Sequence, residues 1–277
     1  MNAKLNSRMF GTGAKYAIAW VYALLSVYPF LWVLLTSFKN NDELYRSPFS
    51  LPKVWRFENY LEAWSGANIG TYFSNSIVVS LGAVIALILI CAMASYAVTR
   101  VKPSAAMLAY FTVGIMIPIH ALIMPTVIMF REVSLVNSLW GLFLVYIAAN
   151  ISISIFILSG FMRGIPKELE EAAMIDGSTR TGAFFKIILP ISKPGLATIA
   201  TLAFLNIWND YLYGLVLISN PKLKTLTMGI SDLKGTYATQ YGLLCAGFML
   251  AIIPVMVMYF IFQEQIIKGM TAGAVKG

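Results

Sequence analysis

Charge is what this sequence has least of. Only 12% of its 277 residues are Asp, Glu, Lys or Arg, against roughly 25% in an average soluble domain. Lipid, not water, is the expected solvent for most of such a chain. Histidine occurs once, as His120, which excludes zinc motifs built on two histidines. The two cysteines, Cys91 and Cys245, both fall inside apolar runs. They form neither a disulfide framework nor a metal cluster and read as small packing residues. No G-x-x-x-x-G-K-[ST] segment is present, so this chain has no phosphate cradle of that kind. The G-x-S-x-G nucleophile elbow is missing too. Nothing here describes a free-standing enzyme.

Long uncharged runs are what the sequence has in quantity. A membrane-spanning helix needs about 20 mostly apolar residues. Six runs are long enough: Tyr16–Phe38, Ala63–Thr99, Pro103–Phe130, Val133–Met162, Pro194–Pro221 (broken only by Asp210) and Gly235–Gln263. The expected fold is an all-α polytopic membrane protein of about six transmembrane helices, near 16–38, 74–98, 105–130, 138–160, 194–218 and 242–263. No internal repeat divides it, and one membrane domain over 1–277 is expected. The first run is too long for a removable signal and lacks a small-residue cleavage site. Lys4, Arg8 and Lys15 precede it, which places the N-terminus in the cytoplasm. Six spans return the C-terminus to the same side. With that topology, twelve of the 20 Lys and Arg residues lie inside. The net charge of +8 then reflects orientation in a membrane, not nucleic-acid binding.

Between the first two runs, Pro48 and Pro52 mark turns, and Phe57 to Trp64 reads as a short amphipathic helix whose aromatics suit a water–lipid interface. It serves either as a platform for an external partner or as a lid on its own spans. Pro29, Pro118, Pro125 and Pro254 are expected to kink spans one, three and six. His120 lies between two of them, either as a proton-relay group or as a hydrogen-bonded interfacial residue. In the fifth run, Asn206, Asp210 and Tyr213 recur at i, i+4 and i+7, the spacing of one helical face. A carboxylate in a span must face protein or water. That face either lines a path for a polyhydroxylated solute, with Trp208 and Asn209, or clamps two helices together.

The longest charged segment lies between runs four and five, in a loop over 161–193. Glu168, Glu170 and Glu171 follow Pro166, where acidic side chains favour a helix start. Gly177 supplies a left-handed stop. Ser178 is placed to cap a second short helix, Thr179 to Ile188, closed by Pro190. Two short helices between spans form a knob that a cytoplasmic protein could grip.

The same residues carry a resemblance. Glu171-Ala172-Ala173, three residues, Gly177, nine residues and Ile187-Ile188-Leu189-Pro190 is similar to the EAA signature of ABC-importer permeases, with every position filled. Phe57-Glu-Asn-Tyr60, Phe73-Ser-Asn-Ser76, Phe204-Leu-Asn-Ile-Trp-Asn209 and the tail Lys268–Gly277 extend the resemblance to the carbohydrate branch, in particular the smaller membrane subunit of maltose-type importers. It covers almost the whole chain.

That resemblance implies a type I importer permease fold in a prokaryotic inner membrane. The helix around Glu168–Asp176 would be a coupling helix seated in a cytoplasmic ATPase, with Glu171 as polar anchor. Ala172 and Ala173 would allow close approach, and Gly177 would turn the chain. The partners implied are a second homologous permease, two ATPase subunits and an extracytoplasmic sugar-binding protein. The tail 264–277 would reach toward the ATPase pair. ATP and Mg would sit on those subunits, and this chain would hold no cofactor or metal. In the maltose branch the sugar is held mainly by the partner permease, so Asn206, Trp208, Asn209 and Asp210 are candidates for the pathway and not a principal site. An ABC permease for a non-sugar solute, or an ion-coupled carrier using Asp210 and His120, are the other readings.

Overall fold

The computed structural model describes residues 2–234 and 239–274, with side chains over 15–234 and 239–264. The start of the sixth apolar run and the side chains of the tail motif lie outside these. Among the described residues every regular element is helical. Four helices are long and apolar enough to cross a membrane: Lys15–Thr36, Ile69–Val101, Leu139–Arg163 and Tyr241–Glu264. Two bent pairs bring the number of candidate spans to six.

The chain divides into two compact units, Met1–Gly70 with Ile230–Ile252, and Thr71–Gly229 with Ile253–Gly277. In the first unit, α1 (Asn2–Thr36) runs through Pro29 without a break, and α2 (Asn41–Arg46) and α3 (Glu58–Leu61) follow it. The expected short helix over 57–64 is helical from Glu58 through Gly66, α3 passing directly into a π-helical turn at Glu62–Gly66. Phe38 is the hub of an aromatic cluster in this unit, with the rings of Trp55, Phe57 and Tyr60 all 5.1–5.3 Å away. Lys39 is only 1% exposed. Its ammonium donates to the Ser47 carbonyl at 3.0 Å and the Pro48 carbonyl at 3.4 Å. A buried cation needs such partners. Asn41 donates to the Thr239 carbonyl at 2.7 Å and accepts from the Tyr241 N–H at 2.9 Å.

The second unit holds the longer helices. It contains most of α4 (Ile69–Tyr96), which ends in a π-helical turn at Ala97–Val101. The third run is broken. α5 (Ala105–Met116) and α6 (Ile123–Glu132) are separated by a short 3-10 turn and meet at 86°. Pro118 is the cause: it lacks an N–H and pushes Ile117 into an extended conformation (ψ 118°). Pro125 falls in the first turn of α6, where its missing N–H has no helical partner to lose, and breaks nothing.

The middle of the unit is α7 (Leu139–Arg163), started by a Ser138 hydroxyl that accepts from the Trp140 N–H at 3.1 Å. Gly141, Leu142, Val145, Tyr146, Asn150, Ser154, Ile155, Leu158, Ser159 and Met162 are its buried positions, a stripe at helical spacing. Beyond it come α8 (Glu168–Ile175), α9 (Arg180–Ala183) with a π-helical turn at Phe184–Ile188, and α10 (Leu189–Ile191). Next is α11 (Lys193–Trp208), which meets α7 through small residues. A Cβ on Gly195 would lie 2.9 Å from the Phe161 ring. At about 1.5 Å per residue α11 is about 24 Å long, short of the ~30 Å hydrocarbon core. The expected run over 194–218 continues past α11 in a separate α12 (Leu212–Leu217), whereas the bent pair long and apolar enough to count as one span joins Arg180–Ile191 to α11. The chain closes with α13 (Leu226–Asp232) and α14 (Tyr241–Ala274).

Candidate coupling site and translocation face

α8 is a two-turn helix with Glu168, Glu170 and Glu171 in its first turn, where carboxylates meet the positive end of the backbone dipoles. Pro166 lies just ahead of its N-cap, Lys167, and not inside the first turn. Its stop is a complete left-handed cap. Gly177 has φ +84°, its N–H donates to the Met174 carbonyl at 3.1 Å, and the Ser178 N–H donates to the Ala173 carbonyl at 2.9 Å. Thr179, and not Ser178, caps the second helix, accepting from the Gly182 N–H at 3.1 Å. Nor does Pro190 close that helix. The wider π-helical turn before it spreads the carbonyls its ring would otherwise meet, and the break comes at Ser192, where the axis bends by 70°.

The two faces of α8 differ in chemistry. Glu168, Glu171, Ala172, Asp176 and Gly177 are exposed, and Ala173 is buried. Ile175 is 86% exposed, an apolar group on a helix tip that charge reading of the sequence passes over. Glu170 faces inward and is 8% exposed. The Tyr96 hydroxyl of α4 donates to its carboxylate at 2.5 Å. The same hydroxyl lies 3.3 Å from the Arg180 carbonyl, and the Tyr96 ring packs 4.9 Å from Phe184. Arg100, one turn further, donates to the carbonyls of Met162 and Ile165, where the loop begins. Neither Tyr96 nor Arg100 carries a local signal in the sequence; both reach the loop across more than sixty residues.

The polar face expected in the fifth run is not one continuous helical face. α11 ends at Trp208, and Asn209 to Tyr211 form a break. The i, i+4, i+7 spacing therefore joins two helices. Asp210 sits in the break and caps α12. Its carboxylate accepts from the Gly214 N–H at 3.1 Å, the Tyr213 N–H at 3.4 Å and the Tyr146 hydroxyl of α7 at 2.9 Å. Its own carbonyl accepts from the Thr227 hydroxyl at 2.5 Å. Asn206 is exposed and donates to the Asn150 side-chain oxygen of α7 at 3.1 Å. Asn209 is exposed and folds back on the Leu205 carbonyl at 2.9 Å. Trp208 is 3% exposed and stacks on Phe204 with ring centroids 5.5 Å apart.

The candidates thus separate into two exposed amides and two inward groups. Tyr213, from the second half of the break, donates to the Ile119 carbonyl at 3.3 Å, beside the exposed His120. Among the described residues no three His, Cys, Asp or Glu side chains converge as a metal site requires.

The described residues thus combine helices long and apolar enough to cross a membrane with a charged knob between them. The chain belongs to the family of binding-protein-dependent transport system inner membrane components, whose pattern it matches over residues 86–271. It is 36% identical, over 94% of its length and 87% of the relative's, to the diacetylchitobiose uptake system permease protein NgcG of Streptomyces coelicolor. It is 34% identical to the sulfoquinovosyl glycerol transport system permease protein SmoH of Agrobacterium fabrum, over 99% and 97% of the two chains. Its fold matches a chain of a bacterial ABC transporter that imports the polysaccharide alginate, with a TM-score of 0.77 at 21% identity over 93% and 96%. The chain is a multi-pass permease subunit, not an ion-coupled carrier.

Proposed function

We propose that this chain is one of two permease subunits of an ATP-driven importer for a sugar or oligosaccharide, coupled to a cytoplasmic ATPase through α8. The observation that carries the coupling role is the division of α8 into two faces. Glu170 and Ala173 hold it to the bundle, which leaves Glu168, Glu171, Ala172, Ile175 and Asp176 outward on a helix that Gly177 terminates. An exposed isoleucine flanked by carboxylates suits a cleft with an apolar floor and a polar rim. Carbohydrate cargo is supported by the relatives named above. ATP and Mg would be bound by the two ATPase subunits.

In this reading the 161–193 loop and both termini lie in the cytoplasm, and the 40–70 and 219–234 segments face outward to receive a sugar-loaded binding protein. ATPase closure moves the knob, and the knob rocks the spans between inward and outward access. Asn206 and Asn209 offer their exposed amides to the solute path, while Trp208 and Asp210 support that face from within. The first test is a gentle detergent pull-down of the tagged chain from its native membrane with mass identification of what accompanies it. A second permease and an ATPase are the expected companions. Recovery of this chain alone, even after cross-linking at 168–177, would overturn the assembly.

A further inference from the structure

We infer that Tyr96 and Glu170 form the joint through which α8 moves α4, and that they are positioning residues for transport. This rests on the reading of α8 as the ATPase-docking helix. Three observations meet at one place. Glu170 is the buried carboxylate of α8, 8% exposed, and the Tyr96 hydroxyl donates to it at 2.5 Å. The Tyr96 ring lies 4.9 Å from Phe184, which opens the turn after α9. Arg100, in the π-helical turn that follows α4, donates to the carbonyls of Met162 and Ile165, so that turn is tied to the end of α7 and the entry to α8.

The joint resists separation because of what parting would expose. Drawing α8 away from α4 breaks the short hydrogen bond to the Glu170 carboxyl group and uncovers the Tyr96 side chain, now only 6% exposed, to water. The two elements therefore move together. Compliance lies immediately beyond. A π-helical turn follows Tyr96 at 97–101 and another begins at Phe184, spanning 184–188, and such turns concentrate at functional sites. A stiff contact flanked by two loosely wound turns passes on displacement while the adjoining backbone absorbs rotation.

The test uses the full complex, reconstituted with its ATPase, partner permease and binding protein. It measures ATPase co-purification and sugar taken up per ATP hydrolysed. Tyr96→Phe removes one oxygen and leaves the ring on Phe184. It should retain the ATPase while uptake per ATP falls about fivefold or more, the usual size of a lost coupling. Glu170→Ala should do the same, and the double variant should be no worse than either single one, since both break one contact. Glu170→Gln keeps an oxygen for the Tyr96 hydroxyl and should restore most of the ratio. A defect confined to folding lowers the amount of complex and leaves the ratio alone. An unchanged ratio in both Tyr96→Phe and Glu170→Ala, or strictly additive losses in the double variant, would overturn the joint. Ile175→Asp tests the docking reading separately. It should release the ATPase, and undiminished ATPase recovery there would overturn that reading whatever the Tyr96 variants do.

Discussion

Two tyrosine–carboxylate pairs hold short helices to long ones in the 71–229 region, and they are built differently. Tyr146 binds Asp210 near the start of α7, and Tyr96 binds Glu170 beside its end. The Asp210 carboxylate accepts from Tyr146 and from the N–H groups of Tyr213 and Gly214, so it is fixed from three directions. Among the described residues the Glu170 carboxylate has one side-chain donor, at 2.5 Å. The first arrangement locks a broken span against its neighbour. The second fastens a knob by a single strong contact, which suits an element that must be pushed as a body. Similar chemistry makes a static clamp at one place and a transmitting joint at the other, and the number of donors sets the difference.

Asp210→Ala tests the static clamp and has the largest expected effect. It leaves the Tyr146 hydroxyl and the first turn of α12 without their acceptor. Hydrogen bonds to a charged group contribute about 1.5–3 kcal/mol each, so losing the two shorter of the three, at 2.9 and 3.1 Å, should cost about 3–6 kcal/mol. The expected outcome is a poor yield of assembled complex and a large fall in Tm in a detergent thermal-shift assay. Full assembly with altered cargo selectivity would instead move Asp210 into the solute path and break the comparison.

Gly177→Val comes next. The residue has φ +84°, a conformation that costs a residue bearing a side chain roughly 1–2 kcal/mol, and more for a β-branched one. Here the strain unwinds the end of α8 and displaces its exposed face without touching Glu170. ATPase co-purification should fall while the bundle stays folded. Normal uptake in this variant would remove the assigned stop.

The sequence makes α8 legible because its signals are local. Acidic residues at the helix start and a glycine two residues past its end each act within a turn. The break at Asn209–Tyr211 is invisible to the same reasoning: residues at 206, 210 and 213 have one spacing whether the helix continues or stops. Pro118 announces the 86° bend, whereas Pro190 announces a stop that a π-helical turn cancels. Lys39 counts as a loop charge in the sequence, yet it is 1% exposed and bound to carbonyls. Nothing near Tyr96 points to Glu170, because that contact joins residues 74 apart in the chain.

Tyr146→Phe has the smallest expected effect and is the sharpest comparison with Tyr96→Phe. Each variant deletes one hydroxyl that donates to a carboxylate, so at the level of the bond the two losses are alike, on the order of 1–3 kcal/mol. They should differ in what the rest of the molecule does with the loss. Asp210 keeps two backbone donors on α12, so the broken span stays capped. The consequence is a modest fall in Tm with uptake per ATP unchanged. Among the described residues no second side chain donates to the Glu170 carboxylate, so the same deletion there frees the knob from α4 and lowers uptake per ATP at similar thermal stability. A fall in that ratio for Tyr146→Phe as large as for Tyr96→Phe would mean that the α7–α12 contact also carries the motion, and the distinction between clamp and joint would be lost.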